Sequence, residues 1–195
     1  LFDEPLTVID PHLKFQLRSK LKELHSRVNR TMIYVTHDQT EALTFADKVV
    51  VMNVGEVVQI GTPRDLFERP EHVFVGHFIG SPGMNILPCE INNGSAFLGG
   101  SRIETENRAG DTVGDTVIGV RPEFVRFSEK GLEARVLRVS DVGRSRIVDV
   151  ECLGAGLKML VGEDEEIPSE RTEISFDPAA TRIYSDGRLC GLEAA

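Results

Sequence analysis

Three things are scarce in this sequence, and each scarcity closes off a class of function. Cysteine occurs only at Cys89, Cys152 and Cys190. The number is odd, the separations are long and no C-x-x-C spacing is present, so neither a zinc site nor a disulfide framework is indicated and a reducing compartment is expected. Positive charge is outweighed, with 22 Lys and Arg against 31 Asp and Glu for a net charge of −9. A phosphate-backbone footprint or an anionic-lipid anchor needs the opposite balance, so no nucleic-acid partner is expected. Long apolar runs are missing too: stretches such as Val49 to Met52 have strand length, far below the roughly 20 residues of a membrane span. No basic, apolar and cleavage-site succession marks a signal peptide. The chain opens on Leu1-Phe2, which reads as the inside of a buried strand and hence as a cut end.

What is present is a globular composition: 195 residues with 41% apolar content, enough for one large domain or two small ones with real cores. Two compositions meet near Gly80. All five histidines and 9 basic against 11 acidic residues lie in 1–80, while 81–195 carries 13 against 20. Gly80-Ser81-Pro82-Gly83 is the expected linker, because Gly and Pro disfavour continuation of helix or strand.

In 1–80, Asp10-Pro11 predicts an N-cap with proline at the first helical position, and Leu13, Leu17, Leu21, Leu24 and Val28 repeat at helical spacing, predicting a helix of about 20 residues with one buried stripe. Thr31 to Thr36 predicts a strand, and Asp38 with Glu41 resembles a capping box opening a second helix. Lys48 to Met52 and Glu56 to Ile60, joined by Asn53-Val54-Gly55, predict a hairpin. Thr62-Pro63 and the Val73 to Phe78 stretch predict two short helices, with Phe45, Phe74 and Phe78 as core. The alternation of strand and helix makes α/β the expected class for this part. In 81–195, short apolar runs at 117–120, 133–140, 146–153, 157–162 and 171–176 are separated by turn residues and predict a small all-β barrel or sandwich. The acidic run Glu163 to Glu166 reads as a solvated turn.

The candidate chemistry lies at two strand ends. "LFDEP" closes a strand on two carboxylates, Asp3 and Glu4; at the C-terminal edge of a parallel sheet one can hold a hydrated Mg²⁺ while its neighbour polarises a water. "YVTHDQTEA" closes the next strand on His37, whose imidazole can donate to a phosphate oxygen. Asp38 and Asp10 are each explained by helix capping, a contribution of about 1 kcal/mol.

Taken in order, "LFDEPL", Asp10, the long helix, "IYVTHDQTEA" and "ADKVVVMNVGEVVQIGTPRDLFERP" resemble the C-terminal half of an ABC-transporter ATPase. "FIGSPGMNIL" and a β-rich segment holding "IGVRPEFV" are similar to the accessory OB-like (TOBE) domain of the maltose and glycerol-phosphate importer branch. The resemblance implies an α/β part of a P-loop NTPase sheet over 1–80 and an OB-like accessory domain over 81–195. It implies ATP and Mg²⁺ as cofactors: Asp3 at the water shell of the metal, Glu4 as base, His37 at the γ-phosphate and Asp10 reaching a partner's nucleotide site. It further implies a homodimer or second ATPase subunit, transmembrane permease subunits, a regulatory protein on the OB-like domain, and a cytoplasmic place on the inner face of the membrane. The cargo is expected to be a sugar or glycerol phosphate, with a polyamine or ferric ion as the runner-up.

Two departures qualify this. The D-loop of that family reads Ser-x-Leu-Asp, whereas Thr7-Val8-Ile9-Asp10 stands here. Neither Gly-x-x-x-x-Gly-Lys-Ser/Thr nor an LSGGQ-like signature occurs, so the backbone N–H cradle and lysine that hold phosphates are lacking and this chain alone is expected not to hydrolyse ATP. An interaction module, dimerising or binding a regulator through its β-rich half, is the alternative.

Overall fold

The computed structural model describes residues 1–7, 9–110 and 114–191; Val8, inside the D-loop-like stretch, lies outside them. The first unit opens with β1 (Phe2–Asp3), α1 (Pro11–Val28), β2 (Tyr34–Val35) and α2 (Gln39–Phe45). It continues with the hairpin β3 (Val49–Asn53) and β4 (Glu56–Gly61), then α3 (Pro63–Glu68) and α4 (Val73–Phe78). β1 and β2 pair in parallel, Phe2 opposite Tyr34 and Asp3 opposite Val35. The β3–β4 turn holds Val54 at φ 49° and Gly55 at φ 81°, the two positive values of a type I′ turn, which matches the right-handed twist of the strands.

Helix α1 departs from expectation. Asp10 caps it, its carboxylate accepting the His12 N–H at 2.9 Å, and the helix ends at Asn29 in the left-handed region at φ 47°. Yet the apolar stripe is not buried: Leu13, Leu17, Leu24 and Val28 are 39–50% exposed. The half-buried positions are Lys14, Arg18, Leu21 and His25. Polar contacts set this rotation, since Lys14 reaches Glu41 at 3.6 Å and Asp38 at 3.9 Å, and Lys22 donates to the Thr44 carbonyl at 2.8 Å. Phe78, expected in the core, is 38% exposed and stacks on Phe74 with ring centroids 5.6 Å apart. The buried cluster of this unit is Val51, Leu66, Val75 and Ile79.

From Asn85 the chain is almost wholly strand. It runs β5 (Asn85–Pro88), β6 (Glu90–Asn92), β7 (Ser95–Leu98), β8 (Ser101–Ile103), β9 (Thr116–Val120) and β10 (Val125–Ser128). β11 (Leu132–Asp141), β12 (Ser145–Cys152), β13 (Ala155–Gly162), β14 (Arg171–Phe176), β15 (Thr181–Ser185) and β16 (Arg188–Leu189) follow. Short antiparallel sheets run in the orders β10-β14-β11-β12-β13, β16-β15-β9-β5 and β6-β7-β8. Alternation puts Leu157, Met159 and Val161 of β13 inside while Gly156 and Lys158 face out. These inward positions join Ile118, Val120, Val148, Val150, Ile174 and Ile183 in one buried core. Glu163 to Glu166 is an exposed turn, as its charge requires.

The two units are tied by a buried cation. Arg121, 3% exposed, follows β9 and donates from Nε to the Phe67 carbonyl at 2.6 Å and from Nη1 to the Ile79 carbonyl at 2.5 Å. It lies over the Phe67 ring, 4.0 Å from its centroid. These carbonyls stand at the C-terminal ends of α3 and α4, where the helix dipole and unpaired C=O groups favour a cation. The Tyr184 hydroxyl adds a bond to the Pro70 carbonyl at 3.0 Å, and Leu189 N–H donates to the Glu71 carbonyl at 2.9 Å.

Candidate active site

The parallel pairing of β1 with β2 brings the two strand ends together. Glu4 N–H donates to the Val35 carbonyl at 2.9 Å, extending the ladder one residue past β1. Glu4 then turns with φ 43°, a left-handed conformation uncommon outside glycine that concentrates where a site over-determines the backbone. His37 Nδ1 donates to Glu4 Oε1 at 2.9 Å, and Thr7 Oγ1 donates to Glu4 Oε2 at 3.0 Å. Both side chains are exposed. The bond from His37, and then that from Thr7, lowers the Glu4 pKa below its ordinary 4.5; the same bond raises His37 above 6.5.

Beneath the exposed pair lies a buried anchor that the sequence pattern misrepresents. Glu41 was expected to close a capping box on Asp38; instead its carboxylate is 3% exposed. Glu41 Oε2 accepts from the Tyr34 hydroxyl at 3.0 Å and the Thr36 hydroxyl at 2.9 Å. Asp38 alone caps α2, accepting the N–H groups of Thr40 and Glu41 at 2.9 and 3.2 Å. Glu41 therefore staples α2 under β2, which fixes the strand end from which His37 projects. Burial, then the bond to Glu41, pushes the Tyr34 hydroxyl up to about 12. A Glu in the first turn of a helix signals a cap by frequency; the alternating hydroxyls Tyr34 and Thr36 were the signal for the buried role.

Asp3 is exposed beside Glu4, and its carboxylate makes no hydrogen bond or ion pair among the described residues. Asp10 is engaged as the α1 cap; no bond among the described residues joins it to Glu4 or His37. The site thus gathers Glu4 and His37 in direct contact, places Asp3 next to them, and leaves Asp10 in a structural role within this chain. Among the described residues no cluster of three or more His, Cys, Asp or Glu could cage a metal ion. Magnesium does not require a cage: it keeps most of its waters and is held by one or two carboxylates together with substrate phosphates. One unpaired exposed carboxylate fits that donor set.

Residues 80–125 match the family model of the MalK OB fold domain. Among curated proteins, the sn-glycerol-3-phosphate import ATP-binding protein UgpC 2 of Agrobacterium fabrum is 38% identical, the match covering 96% of this chain and 54% of that protein. The chain belongs to the family of ABC importer ATP-binding subunits. The sulfoquinovosyl glycerol transport ATP-binding protein SmoE of the same organism is 35% identical over 94% of this chain and 54% of its own. The uncharacterized ABC transporter ATP-binding protein y4oS of Sinorhizobium fredii is 44% identical over 73% and 40%. The chain spans about half the length of the curated relatives it matches. Within this ABC subunit chain no helix among the described residues is long and apolar enough to cross a membrane.

Proposed function

We propose that this chain is the C-terminal part of an ATP-hydrolysing subunit of an ABC importer for sugars or glycerol phosphate. Residues 1–80 belong to its ATPase domain, with β1 and β2 forming part of a larger parallel P-loop sheet, and residues 81–195 form the accessory OB-like domain. The observation that carries this reading is the 2.9 Å contact between Glu4 and His37 at the C-terminal edge of a parallel strand pair, where α/β proteins place their ligands.

On this reading each side chain has a role that its contacts support. With Nδ1 of His37 committed to Glu4, Nε2 is the ring nitrogen left to face a phosphate. The bond to Glu4 raises the His37 pKa and so favours the protonated ring, in which Nε2–H can donate to a γ-phosphate oxygen. Glu4 uses one oxygen for His37 and one for Thr7, and a carboxylate oxygen has a second lone pair with which it can orient and deprotonate an attacking water. Asp3 would hold the water shell of Mg²⁺, whose bound charge supplies neutralisation of the phosphates. Asp10, in the α1 cap, is the residue proposed to reach a partner subunit's nucleotide. The glycine-rich cradle and lysine come from polypeptide outside this sequence. The partners are a second ATPase subunit, which can be another copy, transmembrane permease subunits, and a regulator on the OB-like domain; the place of work is the cytoplasmic face of the membrane.

Glu4→Gln in the ATPase that carries these residues tests the assignment. A general base supplies about 10² to 10⁴ in rate, so the variant should lose turnover by that factor while retaining bound ATP. Turnover within threefold of the parent would remove Glu4 from the reaction.

A further inference from the structure

Gln39 is the first residue of α2 and stands two positions after His37. Its Oε1 accepts the N–H of Gly80 at 3.1 Å, across 41 residues of sequence. Gly80 in turn touches the buried cation that joins the two units. Its φ is +119°, and a Cβ there would meet Arg121 Nη1 at 2.8 Å and the Pro82 carbonyl at 3.2 Å, so only glycine lets the guanidinium approach. The preceding carbonyl, that of Ile79, accepts from the same Nη1 at 2.5 Å. Arg121 follows directly on β9, a central strand of the β16-β15-β9-β5 sheet.

One peptide unit, Ile79–Gly80, is therefore held at its carbonyl end by Arg121 of the OB-like unit and at its N–H end by Gln39, which begins α2 two positions after His37. A hydrogen bond from a loop N–H to a glutamine needs no functional explanation by itself. Two features make this one more than a local cap. The acceptor lies on the segment that positions His37, and among the described residues no carboxylate forms an ion pair with Arg121, so the guanidinium's hold on the inter-unit carbonyls is its main anchorage there.

We propose that Gln39 is a positioning residue coupling His37 to the OB-like unit through Gly80 and Arg121. A partner or load that shifts the OB-like unit moves the N-terminus of α2 and with it the ring of His37, and a change at His37 is felt at Arg121 by the same coupling, as linkage requires. The regulatory meaning rests on the reading of His37 as the nucleotide-facing group; the coupling itself does not, so it is tested without nucleotide.

The test is NMR on the ¹⁵N-labelled 195-residue chain, following the Gly80 amide and the Arg121 Nε–H. Gln39→Leu removes the acceptor at similar volume and should speed exchange of the Gly80 amide about tenfold, while Gln39→Glu keeps an acceptor oxygen and should leave it within threefold of the parent. His37→Ala should shift both resonances in the parent and in Gln39→Glu, but neither in Gln39→Leu. A merely structural bond would give the exchange change without this dependence. Equal responses to His37→Ala with and without the acceptor, or no response in the parent, would overturn the proposal. Should Gln39→Leu not fold, Arg121→Lys decides instead: the His37 ring resonances must move, and their constancy would contradict the coupling.

Discussion

Arg121 and Phe67 meet twice: the guanidinium Nε donates to the Phe67 carbonyl at 2.6 Å, and the same group lies over the Phe67 ring at 4.0 Å. A cation withdrawn from water is tolerable because carbonyls at two helix ends and an aromatic face replace its hydration. Burial lowers its pKa to about 10, so it remains charged at neutral pH.

Removing that side chain should therefore be costly. Arg121→Met leaves the carbonyls of Phe67 and Ile79 buried without donors and should destabilise the chain by about 3 kcal/mol. Urea denaturation reads this directly, and a loss below 0.5 kcal/mol, a threshold of about the size of an ordinary surface substitution, would show the latch to be dispensable.

The Glu4–His37 pair gives a pH signature with a definite sign. His37 is raised and so contributes stability at low pH that is lost as pH rises through its folded pKa, above 6.5. Glu4 is lowered and contributes stability that is lost as pH falls through its folded pKa, below 4.5. The ion pair exists between those two values, and because both groups are exposed its effect on stability is small. NMR titration of the His37 ring should show a pKa above 6.5 that falls in Glu4→Gln; an unmoved pKa would break the pair.

Glu41 is the buried counterpart. Glu41→Leu strands the hydroxyls of Tyr34 and Thr36 and should destabilise by about 2 to 4 kcal/mol, whereas Thr40→Ala, at an exposed position on the same helix, should change stability by less than about 0.5 kcal/mol. Denaturation of both variants compares the two roles.

Val54 is a β-branched residue at φ 49° and 94% exposed, in a turn that favours Asn followed by Gly. Val54→Asn should raise stability by about 0.5 to 1 kcal/mol without touching any other contact. A lower midpoint of thermal unfolding would contradict the type I′ reading.

The exposed stripe Leu13, Leu17, Leu24 and Val28, with the open edges of the β1–β2 pair, predicts self-association of this chain on its own. Light scattering should show mass rising with concentration, and less so for Leu17→Lys with Leu24→Glu. A concentration-independent monomer would count against it.

Strand positions were legible wherever alternation was strict. The runs at 146–153, 157–162 and 171–176 fall on β12, β13 and β14, because turn residues bound them and burial on one face leaves a period of two. That Glu4 and His37 lie on one sheet edge was legible as well, since parallel neighbours end on the same edge; their direct contact at 2.9 Å was not. The rotation of α1 was not: helical spacing marks an apolar stripe but not what covers it, and here the Lys14 contacts decide which flank faces α2. Nor was the role of Arg121, quoted within "IGVRPEFV" yet indistinguishable by pattern from a surface arginine. Its partners are backbone carbonyls, which carry no residue-type signal.

The central claim is that Glu4 and His37 face the terminal phosphate of a nucleotide whose cradle lies outside this sequence. Titration calorimetry with MgATP compares the 195-residue chain with the longer ATPase that carries it. The account predicts no resolvable heat for the chain alone and saturable binding for the longer protein, weakened at least about tenfold by His37→Ala. Equal binding by both, or binding indifferent to His37, would contradict it.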